Sequence, residues 1–279
     1  MQIDPEQQGQ SRPNLAETLR NLRNNTGLTG ESVAVRAGMS QAKLSKIETG
    51  RVQPSTLDVE RILAALGTPR DIANEVIALA RVANTEFQAL RAALRKGLDK
   101  KQRELAALES AATHIRFFLP VMITGLLNTP EYAKATMSLV PGDHSRMLAR
   151  KLERQGILYD KSKELTFLLS EAAVRWTLIP PPAMAVQLDR LISLSRLNNV
   201  HIGVIPLAAH VGGGPLNTFT VYDDRLATAE TFSGAIIMRD PKDVTEHLRL
   251  FDFFSQYALF DESGRDFLDA IAREYRERE

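Results

Sequence analysis

Residues 28–50, Leu-Thr-Gly-Glu-Ser-Val-Ala-Val-Arg-Ala-Gly-Met-Ser-Gln-Ala-Lys-Leu-Ser-Lys-Ile-Glu-Thr-Gly, decide how the first part of this chain folds. Thr29 is placed to cap a helix whose inward face is Val33 and Ala37. Gly38 follows where that helix must stop, and a glycine there is free to take a positive φ. Ser40 opens a second helix in which Leu44 and Ile47, three apart, face a core. Gln41, Lys43, Ser45 and Lys46 are left on its other sides, as a face rich in hydrogen-bond donors. Gly50 ends this helix and Pro54 blocks its continuation. Ser55 with Asp58 predicts a capping box for a further helix carrying Leu57, Ile62, Leu63 and Leu66. Upstream, residues 14–25 read as a helix with Leu15, Leu19 and Leu22 inward, so a bundle of four or five short helices is expected over residues 12–68.

A helix, a glycine turn and a basic second helix form a unit of the kind that enters the major groove of DNA. The charge agrees with that reading. Across the whole of its 279 residues the chain has a formal net charge of only +1. From Arg36 to Arg51, however, four basic residues (Arg36, Lys43, Lys46, Arg51) face one acid, Glu48. Positive charge gathered in one patch suits phosphate contact at a specific site and argues against a protein that coats nucleic acid or membrane generally.

The spacing resembles the XRE, or lambda-repressor-like, helix-turn-helix family. That resemblance implies that Gln41, at the start of the recognition helix, bonds adenine in bidentate fashion. It places Thr29 and Arg51 where phosphates are gripped on either side of the groove. Lys43 and Lys46 are expected to touch guanine edges or phosphates, with Ser45 on the same helix. Arg23 and Glu48 match a pair that in the family forms an internal salt bridge from the first helix to the recognition helix, so Glu48 reads as structural. Gly30 stands where many relatives carry a phosphate-contacting Gln.

Beyond Gly67 the periodicity lengthens. Ile72, Val76, Leu79, Ala83, Phe87, Leu90, Leu94 and Leu98 form one apolar stripe, and Leu105, Leu108, Ala112, Ile115 and Leu119 continue it past a basic stretch with a break at Gly97. Residues 69–113 therefore read as a helical connector, which either packs on its own domain or zips against a second copy of the chain. Residues 114–279 read as an α+β domain. Its helices are expected at 132–139 after a Thr129-Pro130-Glu131 start, and at 144–158, 184–197, 240–259 and 263–276. Short β-rich runs at 165–169, 200–205, 217–222 and 226–238 predict a small antiparallel sheet. Val186, Leu188, Leu191, Ile192 and Leu194 are expected on the buried side of their helix, and Trp176 in the core.

Several runs in this domain support a closer resemblance: Ile-Thr-Gly-Leu-Leu-Asn-Thr-Pro-Glu-Tyr-Ala at 123–133, Ala-Arg-Lys-Leu-Glu-Arg-Gln at 149–155 and Leu-Ser-Glu-Ala-Ala at 169–173. Met184 with Gln187-Leu188, and Val204-Ile205-Pro206 before a Gly-rich loop and Phe219, join them. With the first domain, they look like an actinobacterial group of XRE-type regulators described as antitoxin-like, in which Gly30 is common. The resemblance implies a regulator of transcription that binds double-stranded DNA, with a small protein partner encoded nearby. A homodimer is expected, and its operator should then be inverted half-sites, because a two-fold protein reads two-fold DNA.

Catalytic chemistry finds little support. Five histidines, His114, His144, His201, His210 and His247, form no His-Glu-x-x-His, and there is neither a Gly-x-Ser-x-Gly elbow nor a phosphate-binding Gly-x-x-x-x-Gly-Lys. The Ser-x-x-Lys string at Ser40 to Lys43 lies inside the recognition helix. No enzyme activity, catalytic residue, metal site or cofactor is expected. Without cysteine the chain has no disulfide or thiolate metal site, as in a reducing compartment. Its first ten residues lack the basic start and apolar run of a signal peptide, and no segment is apolar enough to span a bilayer, so a cytoplasmic, nucleoid-associated protein is expected. Arg150, Arg154 and Glu171 either line a signal-receiving pocket in the last domain or lock helix to sheet by ion pairs, and His210 heads a Gly-rich segment that either turns its amides toward an anion or simply joins two strands. There a small protein partner is the preferred occupant, with a small-molecule ligand as the alternative.

Overall fold

The structure is a computed structural model that describes residues 11–89, 98–139 and 145–278. The chain divides into two compact units. Met1–Phe87 with Ile236–Val244 make the first, and Gln88–Ala235 with Thr245–Glu279 make the second.

In the first unit, helices α1 (Ser11–Thr26), α2 (Gly30–Arg36), α3 (Gln41–Glu48), α4 (Thr56–Ala65) and α5 (Arg70–Asn84) close around one apolar core. Leu15, Leu19, Leu44, Ile47, Val59 and Ile62 are almost wholly buried there, each contributing roughly 1.5–3 kcal/mol by leaving water. The helix ends are set by short-range chemistry. Thr29 Oγ1 accepts from the Ser32 amide, Ser40 Oγ accepts from the Lys43 amide, and Ser55 with Asp58 forms a complete capping box. Leu57 is exposed rather than inward, so the buried stripe of α4 runs through Val59, Ile62 and Leu63.

The apolar stripe that suggested a longer helix through Phe87 ends at Asn84. The buried Asn84 amide donates to the carbonyls of Pro54 and Ala80 at 2.8 and 2.9 Å, and strand β1 (Thr85–Ala89) follows. Leu90, Leu94 and Gly97 lie outside the described residues.

A segment from far along the sequence completes this unit. Strand β7 (Gly234–Met238) is the hydrogen-bonded neighbour of β1, and Ile237 and Val244 are buried. The Asp240 carboxylate, 2% exposed, accepts from the hydroxyl of Thr56 in the first turn of α4 and, at 2.9 Å, from the Lys242 amide. Lys242 Nζ also reaches Glu60 Oε1 at 2.5 Å. Composition and periodicity give no sign that residues 236–244 serve the first unit.

The second unit is built on strands β2 (His114–Leu119), β3 (Glu164–Ser170), β4 (Val200–Ile205), β5 (Phe219–Tyr222) and β6 (Leu226–Thr231), in the order β6-β5-β2-β3-β4. This corrects the expected small antiparallel sheet. β2, β3 and β4 run parallel, and β5 pairs antiparallel with both β2 and β6. Helical crossovers explain the parallel set: α7 (Pro130–Ala135) and α8 (Ser145–Arg154) return the chain from β2 to β3. From β3 to β4 it passes through α9 (Glu171–Arg175) and α10 (Pro181–Leu194).

Strands buried on both faces read as continuous apolar runs, and β2 is one, with Phe117, Phe118 and Leu119 all buried. For that reason the spacing of Ile115 and Leu119 mimics a continuing helix, whereas helix α6 (Leu98–Ala111) stops before them. The run at 226–238 is likewise two strands, parted at the exposed Phe232 and Ser233. Phe117 stacks on Phe167 at 4.6 Å, and Phe118 on Phe254 at 4.6 Å, where α11 (Pro241–Ser255) covers the sheet. The last helix is α12 (Asp261–Arg276).

Two further expectations fail. Trp176 is 65% exposed because α9 lasts only to Arg175 and the chain leaves it extended, and Val186 is 58% exposed because the buried side of α10 is Met184, Gln187, Leu188 and Leu191. His144 lies outside the described residues.

The runs singled out at 123–133, 149–155 and 187–188 meet in one buried polar network. Gln155 Nε2 donates to the carbonyls of Gly125 and Asn128 at 2.9 and 2.8 Å, and Arg190 donates to Gln155 Oε1 at 2.7 Å. Gln187 donates to the Leu127 carbonyl and accepts from the Thr129 amide. Such bonds satisfy the backbone of a buried loop that has no ladder of its own, so these residues hold the loop in place.

Candidate nucleic-acid interface

Helices α2 and α3 meet across Ala37–Ser40, where Gly38 takes a φ of +63°, a conformation that costs glycine nothing. Leu44 and Ile47 anchor α3 in the core. Their burial fixes its rotation and leaves Gln41, Lys43, Ser45 and Lys46 exposed. After α3, Gly50 at φ +69° turns the chain, the amides of Arg51 and Val52 both bond the Lys46 carbonyl, and Arg51 stands exposed. Thr29 and Gly30 begin the motif at its other end, with Thr29 exposed.

The base of this surface is braced by ion pairs. Arg23 Nε and Nη2 meet Glu48 Oε1 and Oε2 at 2.7 and 3.1 Å, and Nη1 donates to the Leu28 carbonyl at 3.1 Å. The fork is largely buried, with 17% of the arginine and 10% of the glutamate side chain exposed, and the Glu48 hydrogen bonds raise the Arg23 guanidinium above its ordinary value. α1, the loop before α2 and the end of α3 are thereby held as one piece.

Lys43 is committed differently from the sequence reading. Its Nζ lies 2.7 Å from Asp58 Oδ1, the same carboxylate that caps α4. Burial works to raise the Asp58 pKa, but the Lys43 ammonium and the Ser55 amide and hydroxyl outweigh it and hold the group below the ordinary carboxylate value. Lys43 therefore ties α3 to α4. Arg36, Lys46 and Arg51 have no ion-pair partner among the described residues. A stable helix end thus carries an amide, a hydroxyl and two flanking cations, a set able to bond base edges and phosphate oxygens.

The four residues considered for a signal site do not partner one another. Arg150 pairs with Glu153 on the surface of α8. Arg154 forks onto the buried Glu109, with Nε 3.0 Å from Oε2. Glu171 binds Arg175 at 2.5 Å and accepts from the Leu207 amide, while Arg175 also holds Glu274. His210 is exposed in the turn after β4. Among the described residues, no cluster of three or more His, Cys, Asp or Glu side chains has the geometry of a metal site. None of the described helices is long and apolar enough to cross a membrane.

Residues 14–76 match a family model described as a helix-turn-helix domain, and residues 102–270 match one described as domain of unknown function (DUF5753). No curated protein matches the chain. Among solved structures, Nuc, a phospholipase D family member from Salmonella typhimurium, is 13% identical, with 58% of this chain and 91% of that one covered and a TM-score of 0.34. TrmBL2, described as an archaeal chromatin protein with a novel mode of DNA binding, is 10% identical, with 78% and 68% covered and a TM-score of 0.34. Similarity at that level establishes neither a shared fold nor a shared activity.

Proposed function

Given that this chain belongs to the DUF5753 family and carries a helix-turn-helix domain ahead of that region, we propose that it is a sequence-specific transcriptional regulator. In this reading α3 enters the major groove of double-stranded DNA. Gln41 reads a base, Ser45 and Lys46 assist it, and Thr29 and Arg51 grip phosphates. The observation that carries the proposal is the rotation of α3, with Leu44 and Ile47 sealed inward and Gln41, Ser45 and Lys46 in solvent.

The finer reading is an XRE-type regulator of the antitoxin-like actinobacterial group, cytoplasmic and not an enzyme. It would bind inverted half-sites as a homodimer and be controlled through its second unit by a small protein partner. The resemblances in residues 28–50 and 123–133 support it. A small-molecule signal is the second reading, favoured by a cation-rich cleft in the second unit, described below.

The test is a pair of substitutions scored on matched and random duplexes over a range of salt. Gln41→Ala should cost about 1–3 kcal/mol at one base pair and relax specificity there. Arg51→Ala should weaken every sequence alike and reduce the salt slope by about 1. Equal losses for Gln41→Ala on matched and random DNA would overturn the role assigned to α3.

A further inference from the structure

The second unit contains a cleft that its parallel strands and last helix build together. In the register of the sheet, His114 lies opposite Glu164 and His201 lies opposite Thr166. By the two-residue alternation of strands, His114, Glu164 and His201 share one face. Glu164 sits between the two imidazoles, 3.0 Å from His114 Nδ1 and 3.9 Å from His201 Nε2.

Glycine lets α12 reach this face. A Cβ on Gly203 would lie 2.4 Å from the Phe260 ring, and one on Gly264 would lie 2.6 Å from the Leu259 carbonyl oxygen. Val204 and Leu259 exchange backbone hydrogen bonds at 2.9 and 3.0 Å. The start of α12 is thereby seated against β4, and Arg265 comes to line a cavity with His201.

That cavity, of about 410 Å³, is also lined by Arg196, Asn198 and Asp261. A second, of about 290 Å³, shares Asn198 and His201 with it and adds His114, Glu164, Lys161 and Lys163. The first alone falls within the volume range of small-molecule sites, about 300–1,000 Å³. Four cations, Arg196, Arg265, Lys161 and Lys163, face two carboxylates, Asp261 and Glu164. Lys163 is held by the carbonyls of Ser110 and Ala112 and lies within electrostatic reach of the Asp160 carboxylate. Arg196 and Arg265 have no ion-pair partner among the described residues, in a unit where Arg154, Arg175, Arg225, Arg249 and Arg276 are all paired.

We propose that this cleft binds a small dianionic molecule of the phosphate-ester class. The two guanidinium forks would take the phosphoryl oxygens, and Glu164 and Asp261 would accept from hydroxyl or amine groups of the organic part. Two unpaired guanidinium forks on one cavity match the several oxygens of a phosphoryl group better than they match a single carboxylate. The site concerns the second unit alone and holds whether or not the first unit reads DNA.

The test uses the full chain and calorimetric titration with inorganic pyrophosphate at fixed ionic strength, against sodium chloride as the control. Saturable millimolar or tighter binding is expected, weakened at least about tenfold by Arg196→Ala and by Arg265→Ala and unchanged by Arg146→Ala, an exposed arginine outside the cleft. Arg196 is exposed, so its replacement leaves the fold intact even if Arg265→Ala disturbs α12. The proposal is overturned if binding does not saturate, if Arg196→Ala binds as the parent does, or if Arg146→Ala weakens binding as much as the cleft variants.

Discussion

Replacing Glu48 by Ala removes both carboxylate oxygens from the guanidinium of an arginine whose side chain is 17% exposed, and leaves it one partner, the Leu28 carbonyl at 3.1 Å. Breaking a fully buried pair on one side costs about 3–5 kcal/mol, and a hydrogen bond to a charged group contributes about 1.5–3 kcal/mol. The fraction of Arg23 that reaches water lowers the expectation to about 2–3 kcal/mol, confined to the first unit. Native-state hydrogen exchange reads this locally, because amides of the α1 and α3 cores, such as Leu19 and Ile47, exchange through opening of that unit. A second arm sharpens the result. Arg23→Met with Glu48→Leu leaves no unpaired buried charge, so the double variant should recover to within about 1 kcal/mol of the parent. A loss below about 0.5 kcal/mol for Glu48→Ala, or a double variant as damaged as the sum of the singles, would refute the brace.

Two other predictions concern parts of the fold that hold the units together internally. Asp240→Ala strips a buried partner from Thr56 and the Lys242 amide, and should cost the first unit about 1.5–3 kcal/mol in the same exchange measurement, whereas Glu246→Ala, an exposed residue of α11, should cost nothing resolvable. In the second unit, burial works to raise the Asp223 pKa, but the His114 amide, Arg225 and the Thr113 amide together lower it to about 2. A depressed folded-state pKa gives stability that is present above pH 4 and lost as the pH falls from about 4 toward 2, here about 1–2 kcal/mol. Asp223→Asn should remove that part of the acid sensitivity in unfolding followed by circular dichroism, and an unchanged acid limb would count against it.

The helix-turn-helix unit was legible because its signals are local. Thr29, Ser40 and Ser55 cap within three residues, Gly38 and Gly50 stop helices by their own φ, and Leu44 with Ile47 set the buried face at helical spacing. The partnership of Lys43 with Asp58 was harder to read because each residue already had a sufficient local role, one on a polar face and one in a capping box. Strands β3 and β4 were legible as the β-rich runs at 165–169 and 200–205, whereas β2 was not, because burial on both faces erased the alternation that marks a half-exposed strand, most plainly at Phe117 and Phe118. Asp240 carried a local signal as a helix start, but its role against Thr56 depends on an approach across 184 positions of sequence, which periodicity does not encode. The cleft around His201 was equally hidden, since it is assembled by strand register and by the space that Gly203 leaves for Phe260.

The central claim is that α3 reads a specific DNA sequence, and selection from a random duplex pool by the purified full chain tests it most directly. The account predicts enrichment of inverted half-sites about one helical turn apart, centre to centre, with the Gln41→Ala variant losing preference at one position in each half. Recovery of a pool no different from the input, or identical selected sequences from parent and Gln41→Ala, would contradict it.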